Sequence, residues 1–314
     1  MHSYRLRAPA KINLLLEIIG DRPDGFHELV MVLQSVDLSD VVEIGPLSGD
    51  RIQLYCDHPG VPLDKSNLAY RAAQLMQSCF PGRGGVSIRI DKRIPIGAGL
   101  AGGSADGAAV LVGLDLMWQL GLTQDELYGL AAQLGSDMPF CISGGTALAL
   151  GRGEELSPLP DLDQLYVVLA KYRSLSVSTP WAYRTYRQQF SSTYANTTAD
   201  QETRRRSGPS VPLLNAIAQR NAPAIGTALH NDLEKVVLAE YPKVAQLRQI
   251  LAEQSSLGGM MSGSGPTVFA LAQTRDEAQM IAAHLQQVIT DADLEVWVTE
   301  FIGHGISLDH PIPQ

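Results

Sequence analysis

A two-lobed α+β fold is expected from three features of this 314-residue chain. Strand-like apolar runs and helix-like periodic segments are mixed along its length. A glycine cluster near residue 100 opens an alanine-rich helix. The strand and helix pattern then begins again after about residue 160, and the length suits two lobes rather than one.

Taken in order, residues 4 to 19 are rich in β-branched and leucine positions and read as a strand. A turn built on Asp21, Pro23, Asp24 and Gly25 leads to a second apolar run, Leu29 to Val36. Val86 to Ile90 alternates apolar and polar residues, as a half-buried strand does. A helix is expected from about Ala105 to Leu120. Thr123 and Glu126 form a capping box for the next helix, with Leu127, Leu130, Ala131 and Leu134 on one face and Gly135 at its C-cap.

Beyond residue 160, Leu165 to Ala170 reads as a strand and Pro242 opens a helix carrying Val244, Leu247, Ile250 and Leu251. A glycine-rich connection, Gly258 to Gly265, leads into a strand from Thr267 to Ala272. A helix from about Asp276 to Ile289 and a strand from Val296 to Phe301 follow. Residues 188 to 210 differ: Gln, Ser, Thr and Asn dominate, ahead of Arg204-Arg205-Arg206. With no apolar period, this segment is expected to be an exposed, mobile loop ending in a solvated charge run.

The composition narrows the function. A chain 45% hydrophobic and 18% charged can bury a core without staples, and Cys56, Cys79 and Cys141 show no pairing or zinc-like spacing. They read as small core residues in a reducing compartment. A formal charge of -9 supplies no basic surplus for nucleic acid, so no such partner is expected. The run Ile12 to Ile19 is interrupted by Asn13 and Glu17 and is too short for a membrane span, and Lys11 breaks the apolar stretch a signal peptide needs. No membrane association and a cytoplasmic location are therefore expected.

The segment Pro95-Ile96-Gly97-Ala98-Gly99-Leu100-Ala101-Gly102-Gly103-Ser104 precedes the helix that Ala105 enters. Glycines allow backbone N–H groups to approach an anion, and the helix N-terminus adds roughly half a positive charge. Together they make a phosphate cradle, to which the Ser104 hydroxyl can add. Glycine content alone fits a flexible loop equally well. A dinucleotide fold is disfavoured by the Lys92-Arg93-Ile94-Pro95 connector between strand and loop, and a P-loop by the absence of any Gly-Lys dipeptide. Neither H-R-D nor D-F-G, the protein-kinase signatures, is present.

Four segments occur in order: Ala8-Pro9-Ala10-Lys11-Ile12-Asn13, the loop Pro95 to Ser104, Leu134-Gly135-Ser136-Asp137-Met138-Pro139, and Ser262-Gly263-Ser264-Gly265-Pro266-Thr267. Together they resemble the GHMP kinase superfamily. The run Gly20-Asp21-Arg22-Pro23-Asp24-Gly25-Phe26-His27-Glu28-Leu29 resembles the branch whose substrate is a cytidine diphosphate-linked methylerythritol. The match covers almost all of the chain outside residues 188 to 210.

The resemblance implies an N-terminal ATP-binding lobe over residues 1–160, like the second domain of ribosomal protein S5. It also implies a ferredoxin-like C-terminal lobe over 161–314. The implied reaction transfers the ATP γ-phosphoryl group to the 2-hydroxyl of methylerythritol, with Mg²⁺ expected beside ATP and its protein ligands unknown. It belongs to the non-mevalonate isoprenoid route, and a monomer or weak homodimer is expected.

By the same resemblance Asp137 is the general base and Lys11 its partner, supported by Asn13, two residues along the same strand face. By itself Asp137 reads as a turn residue or N-cap. Phe26 is expected to stack on the cytosine, His27 to bond its edge, and Tyr183 to cover the other face. Many relatives carry Tyr where Phe26 stands, which preserves stacking but removes a phenol. Asn67 and Lys92 fall where the family surrounds adenine. Ala105 replaces a serine common in relatives, so one contact to phosphate or metal is missing. A homoserine or mevalonate-type kinase and a non-catalytic nucleotide sensor remain as alternatives; the Gly25-Phe26-His27 segment argues against the first, and the presence of Lys11 and Asp137 against the second.

Overall fold

The computed structural model describes residues 2–162, 164–195, 197–255 and 257–309. Its first half contains strands β1 (Tyr4–Asp21), β2 (His27–Leu47), β3 (Ile52–Cys56), β4 (Gly85–Asp91), β5 (Thr146–Gly151) and β6 (Glu155–Pro158), with helices α1 (Leu68–Cys79), α2 (Gly102–Trp118), α3 (Gln124–Ala132) and α4 (Met138–Ser143). The second half runs through β7 (Tyr166–Tyr172), α5 (Thr179–Phe190), α6 (Thr198–Ser207), α7 (Ser210–Ala218), α8 (Ala222–Thr227), β8 (His230–Asn231), α9 (Glu234–Glu240) and α10 (Pro242–Gln254). It closes with β9 (Gly259–Met261), β10 (Val268–Ala272), α11 (Arg275–Val288), β11 (Leu294–Glu300) and β12 (Ser307–Leu308).

The first sheet has the order β12-β1-β2-β4-β3, with β5 paired to β2, β6 to β5 and β8 to β1. β3 and β4 are parallel, and α1 carries the crossover between them. The second sheet has the order β11-β7-β10-β9, all antiparallel. With its helices it follows the β-α-β-β-α-β plan of a ferredoxin-like lobe. The fold is thus the expected two-lobed α+β architecture. The lobes are stitched together, because β8 and β12, both beyond residue 160, join β1 of the first sheet.

Helix α2 is apolar on nearly every face, which suits an element buried all round. It packs so closely on the sheet that a Cβ at Gly113 would lie 2.3 Å from Ile44 Cδ1. The surrounding core joins Leu6, Val42, Ile88, Met76 and Leu114. β1 and β2 pair along nearly their whole length, with irregularities between Pro9 and Ala10, Asn13 and Leu15, and Ile18 and Gly20. Two of these bracket Lys11 to Asn13, where a bulge re-aims side chains.

The Thr123–Glu126 capping box is present in full. Gly135 does not cap α3, however. The helix stops at Ala132 with Gln133 as the C-cap, and Gly135 is absent from the positive-φ residues. Its amide still bonds the Ala131 carbonyl at 3.2 Å, so a right-handed turn carries the chain directly toward α4.

Residues 188–210 also differ from the expected loop. α5 extends to Phe190, a short 3-10 turn covers Ser191–Thr193, and α6 occupies Thr198–Ser207; Asn196 lies outside the described residues. No residue of α6 is buried, which explains the missing apolar period. The helix is held by polar contacts. Thr197 caps it, Asp200 lies in its first turn and three arginines in its last, complementing the helix dipole. Arg204 bonds the buried Glu17 carboxylate at 2.7 Å and Arg205 bonds Glu28 at 2.5 Å. The arginine run is therefore not simply solvated.

Candidate active site

A cleft of about 780 Å³ opens between the glycine loop, the β1–β2 hairpin and α5. All the residues singled out from the sequence line it except Ala105. Ala105 is fully buried in the core beneath, so its methyl group faces away from the cleft and a serine side chain at this position would meet the apolar core.

The floor of the cleft is β1. Lys11 is buried, its backbone N–H bonds the Leu100 carbonyl at 3.1 Å, and its ammonium donates to Asn13 Oδ1 at 2.7 Å. Asp137 Oδ2 stands 3.8 Å from Lys11 Nζ. Asp137 occupies the N-cap position of α4, yet its side chain makes no capping bond. Its carboxylate is therefore left facing the cleft beside a cation, the geometry a proton acceptor needs.

Two glycine-rich segments face each other above this floor. Ser262 Oγ donates to the Gly99 carbonyl at 3.1 Å, and a Cβ at Gly99, where φ is +74°, would lie 2.4 Å from the Ser262 carbonyl oxygen. Only glycine allows that approach. Asn231 holds the second segment, donating from Nδ2 to the Met261 and Gly263 carbonyls at 2.8 Å each. Ala101 precedes α2 with φ +57°, a left-handed turn that brings the helix N-terminus under the loop.

Lys92 and Asn67 line the cleft but both are engaged. Lys92 Nζ lies 2.5 Å from Asp40 Oδ2 and 2.7 Å from Asp106 Oδ2, all three side chains being buried. Asp40 Oδ1 also accepts from the Arg93 and Ile94 amides at 2.6 and 2.8 Å, fixing the start of the loop. Burial raises the Asp106 carboxyl; Lys92 draws it back and Asp40 pushes it up again, to about 8. The same two carboxylates hold Lys92 above the ordinary lysine range despite its burial. Asn67 is the N-cap of α1, accepting from the Ala69 amide at 2.8 Å and donating to the Pro62 carbonyl at 2.8 Å.

At the other end of the cleft, Phe26 is 53% exposed, so it is no core residue; the Arg152 guanidinium lies 5.0 Å from its ring centre. His27 is buried rather than on the surface, its ring 5.1 Å from that of Tyr183 and edge-on to Tyr194 at 6.0 Å. Burial lowers the imidazole, the Arg187 charge adds to this, and Asp21 opposes it, so the ring is neutral near pH 7. Its Nε2 has no hydrogen-bond partner among the described residues, and Asp21 Oδ1 at 3.6 Å is too far to serve. Burial also pushes the Tyr183 phenol above its usual range.

Sequence reasoning missed Asp40, Asp106 and the arginines around the hairpin. A signal existed for Asp106, one of two carboxylates in an otherwise apolar helix and the buried one, which must find a partner. Arg187 bonds Asp21 at 2.8 Å and the Gly25 carbonyl at 3.0 Å, tying α5 to the Phe26 turn.

Comparison with known proteins matches residues 67–145 to the GHMP kinases N terminal domain and residues 213–290 to the GHMP kinases C terminal domain. The chain is 68% identical over 308 residues to the 4-diphosphocytidyl-2-C-methyl-D-erythritol kinase of Acaryochloris marina, covering 98% of this chain and 99% of that one. The enzyme of the same name from Gloeothece citriformis is 58% identical over 313 residues, with 98% and 99% covered. The chain belongs to the 4-diphosphocytidyl-2-C-methyl-D-erythritol kinase family.

A crystal structure of 4-(cytidine 5'-diphospho)-2C-methyl-D-erythritol kinase aligns with TM-score 0.74 at 32% identity over 96% of this chain and all of that one. Homoserine kinase from Cytophaga hutchinsonii aligns with TM-score 0.76 at only 20% identity, over 98% of each chain. The backbone alone therefore does not separate this kinase family from its GHMP neighbours, and the family assignment comes from the sequence. Among the described residues, no helix is long and apolar enough to cross a membrane.

Proposed function

We propose that this GHMP kinase transfers the γ-phosphoryl group of ATP to the 2-hydroxyl of 4-diphosphocytidyl-2-C-methyl-D-erythritol, a step of isoprenoid precursor synthesis. The observation that carries the reading is the pairing of two ends in one cleft. Lys11 and Asp137 stand at 3.8 Å at one end, while Phe26, His27 and Tyr183 form an aromatic group at the other. A homoserine or mevalonate substrate has no base for such a group to read.

In this reading Asp137 accepts the proton of the attacking hydroxyl while the hydroxyl oxygen forms the new bond to the γ-phosphorus. The bond between the γ-phosphorus and the bridging oxygen breaks, and its electrons leave with ADP. Lys11, held by Asn13, offsets negative charge gathering at the transferred group. The amides of Gly97 to Gly103 and the N-terminus of α2 cradle the phosphates of ATP. Phe26 stacks on the cytosine and the unpartnered His27 Nε2 bonds the base edge.

Among the described residues no three His, Cys, Asp or Glu side chains cluster as a metal cage. That donor set suits a Mg²⁺ ion carried mainly by ATP oxygens and water, with the Ser104 hydroxyl as a protein contact; bound there, it would neutralise phosphate charge. We place the division between ATP-binding and C-terminal units near residue 160, between β6 and β7, and propose a cytoplasmic enzyme acting as a monomer or weak homodimer.

Product formation from ATP and Mg²⁺ with the diphosphocytidyl substrate, run beside homoserine and mevalonate, tests the proposal. Phosphorus NMR is expected to reveal a new phosphate monoester on the cytidyl substrate alone. Turnover of another alcohol instead would retain the chemistry and overturn the cytosine site.

A further inference from the structure

Five arginine or lysine residues line the cleft: Lys11, Lys92, Arg152, Arg184 and Arg187. Four have a carboxylate partner. Lys11 faces Asp137, Lys92 lies between Asp40 and Asp106, Arg152 pairs with Glu154 at 3.3 Å, and Arg187 pairs with Asp21 at 2.8 Å. The Arg184 side chain has neither a hydrogen bond nor an ion pair with any of the described residues. It is exposed at the cleft wall, and its guanidinium is the cationic charge there that no carboxylate offsets.

Its position on α5 gives that charge a direction. Pro180, Tyr183, Arg184 and Arg187 all line the cleft, the spacing of one helix face, while Ala182 and Tyr186 are buried on the other. The start of this face is tied to the catalytic end, where Thr179 Oγ1 bonds Ser264 Oγ at 2.8 Å. Farther along, the Tyr183 ring packs at a tilt beside His27 and Arg187 holds the Phe26 turn. A ligand joining the aromatic end to the Lys11–Asp137 end runs along this face.

We propose that Arg184 binds the diphosphate of the cytidine diphosphate-linked substrate, an inference that rests on the substrate reading above. A diphosphate brings at least two negative charges into a cleft whose other cations each have a carboxylate partner, in a chain of net charge -9. The planar guanidinium presents paired donors that match phosphate oxygens, which makes the residue a determinant of specificity for diphosphate over a bare nucleoside.

The test is calorimetric titration of CDP and of cytidine into the full chain, with the ATP site filled by a non-hydrolysable analogue. Wild type, Arg184→Gln and Arg184→Lys are compared. Wild type is expected to bind CDP more tightly than cytidine. Arg184→Gln is expected to lose about tenfold in CDP affinity with cytidine affinity unchanged, and Arg184→Lys to recover part of the loss. The KM for the diphosphocytidyl substrate should rise by a similar factor while that for ATP holds. Equal CDP affinity in wild type and Arg184→Gln, with cytidine binding intact, overturns the role of Arg184 alone. Wild type that binds neither cytidine nor CDP overturns the substrate reading and this inference together.

Discussion

Lys92 Nζ donates to the buried Asp106 carboxyl at 2.7 Å beneath the glycine loop. Lys92 lies just beyond β4 and Asp106 in the first turns of α2, so the pair joins the two ends of the glycine loop. Asp40 completes the bridge from β2 and anchors the loop amides. The loop can be glycine-rich and still ordered because its ends are clamped by charge.

Removing the cation leaves Asp40 and Asp106 buried against each other with no positive partner. Lys92→Met is therefore expected to destabilise the fold by about 3–5 kcal/mol, read by urea denaturation. A loss below about 1 kcal/mol would mean that Lys92 is not the clamp.

Asp137 makes no capping bond, so replacing it should cost chemistry rather than stability. Asp137→Asn is expected to lower turnover by about 10²- to 10⁴-fold while the ATP dissociation constant stays within about twofold. Unchanged turnover would remove Asp137 from the reaction.

Phe26 is 53% exposed, and its truncation opens no cavity in the core. Phe26→Ala is expected to weaken the cytidyl substrate by about 1–3 kcal/mol, measured as KM, with no change in melting temperature or in KM for ATP. A drop in melting temperature with equal loss for both substrates would return Phe26 to a packing role.

Asp232 anchors the first sheet to the second half of the chain, accepting from the Ile18 amide at 2.8 Å and from Lys235 at 2.7 Å. Burial raises its carboxyl, but bonds from His230, Lys235 and Ile18 outweigh this and lower it to about 2 from a usual 3.8. Because the folded value is depressed, the stabilisation is present above pH 4 and is lost as pH falls through about 2. It amounts to about 2 kcal/mol. Stability curves of wild type and Asp232→Asn should accordingly converge between pH 4 and pH 2; a constant gap across that range would contradict the linkage.

Arg204 is the partner of Glu17, a carboxylate whose side chain is 1% exposed. Arg204→Ala should release α6, seen as faster amide exchange over residues 198–207, and cost about 3 kcal/mol because a buried charge loses its partner. Slow exchange in the variant would show that α6 is held by other contacts.

The regular elements were legible where burial imposes a period. β4 alternates, and the Thr123–Glu126 box marks the start of α3 without reference to anything distant. α6 was illegible for the converse reason, since a helix with no buried face leaves no apolar pattern. Gly135 was misread because a glycine after a helix signals a left-handed cap only if the chain turns that way, and here α4 follows directly.

By itself, the sequence determined the family, the glycine loop and the candidate side chains for the proposed site, because these are written in short contiguous motifs. Tertiary structure alone decided which charges are spent and which are available. Asp40, Lys92 and Asp106 are separated by 52 and 14 residues along the chain, and Glu17 meets Arg204 across 187. The state of an ionisable group depends on what surrounds it in space. No local pattern could reveal that Lys92 is paired beneath the loop while Arg184 faces the cleft without a carboxylate partner among the described residues.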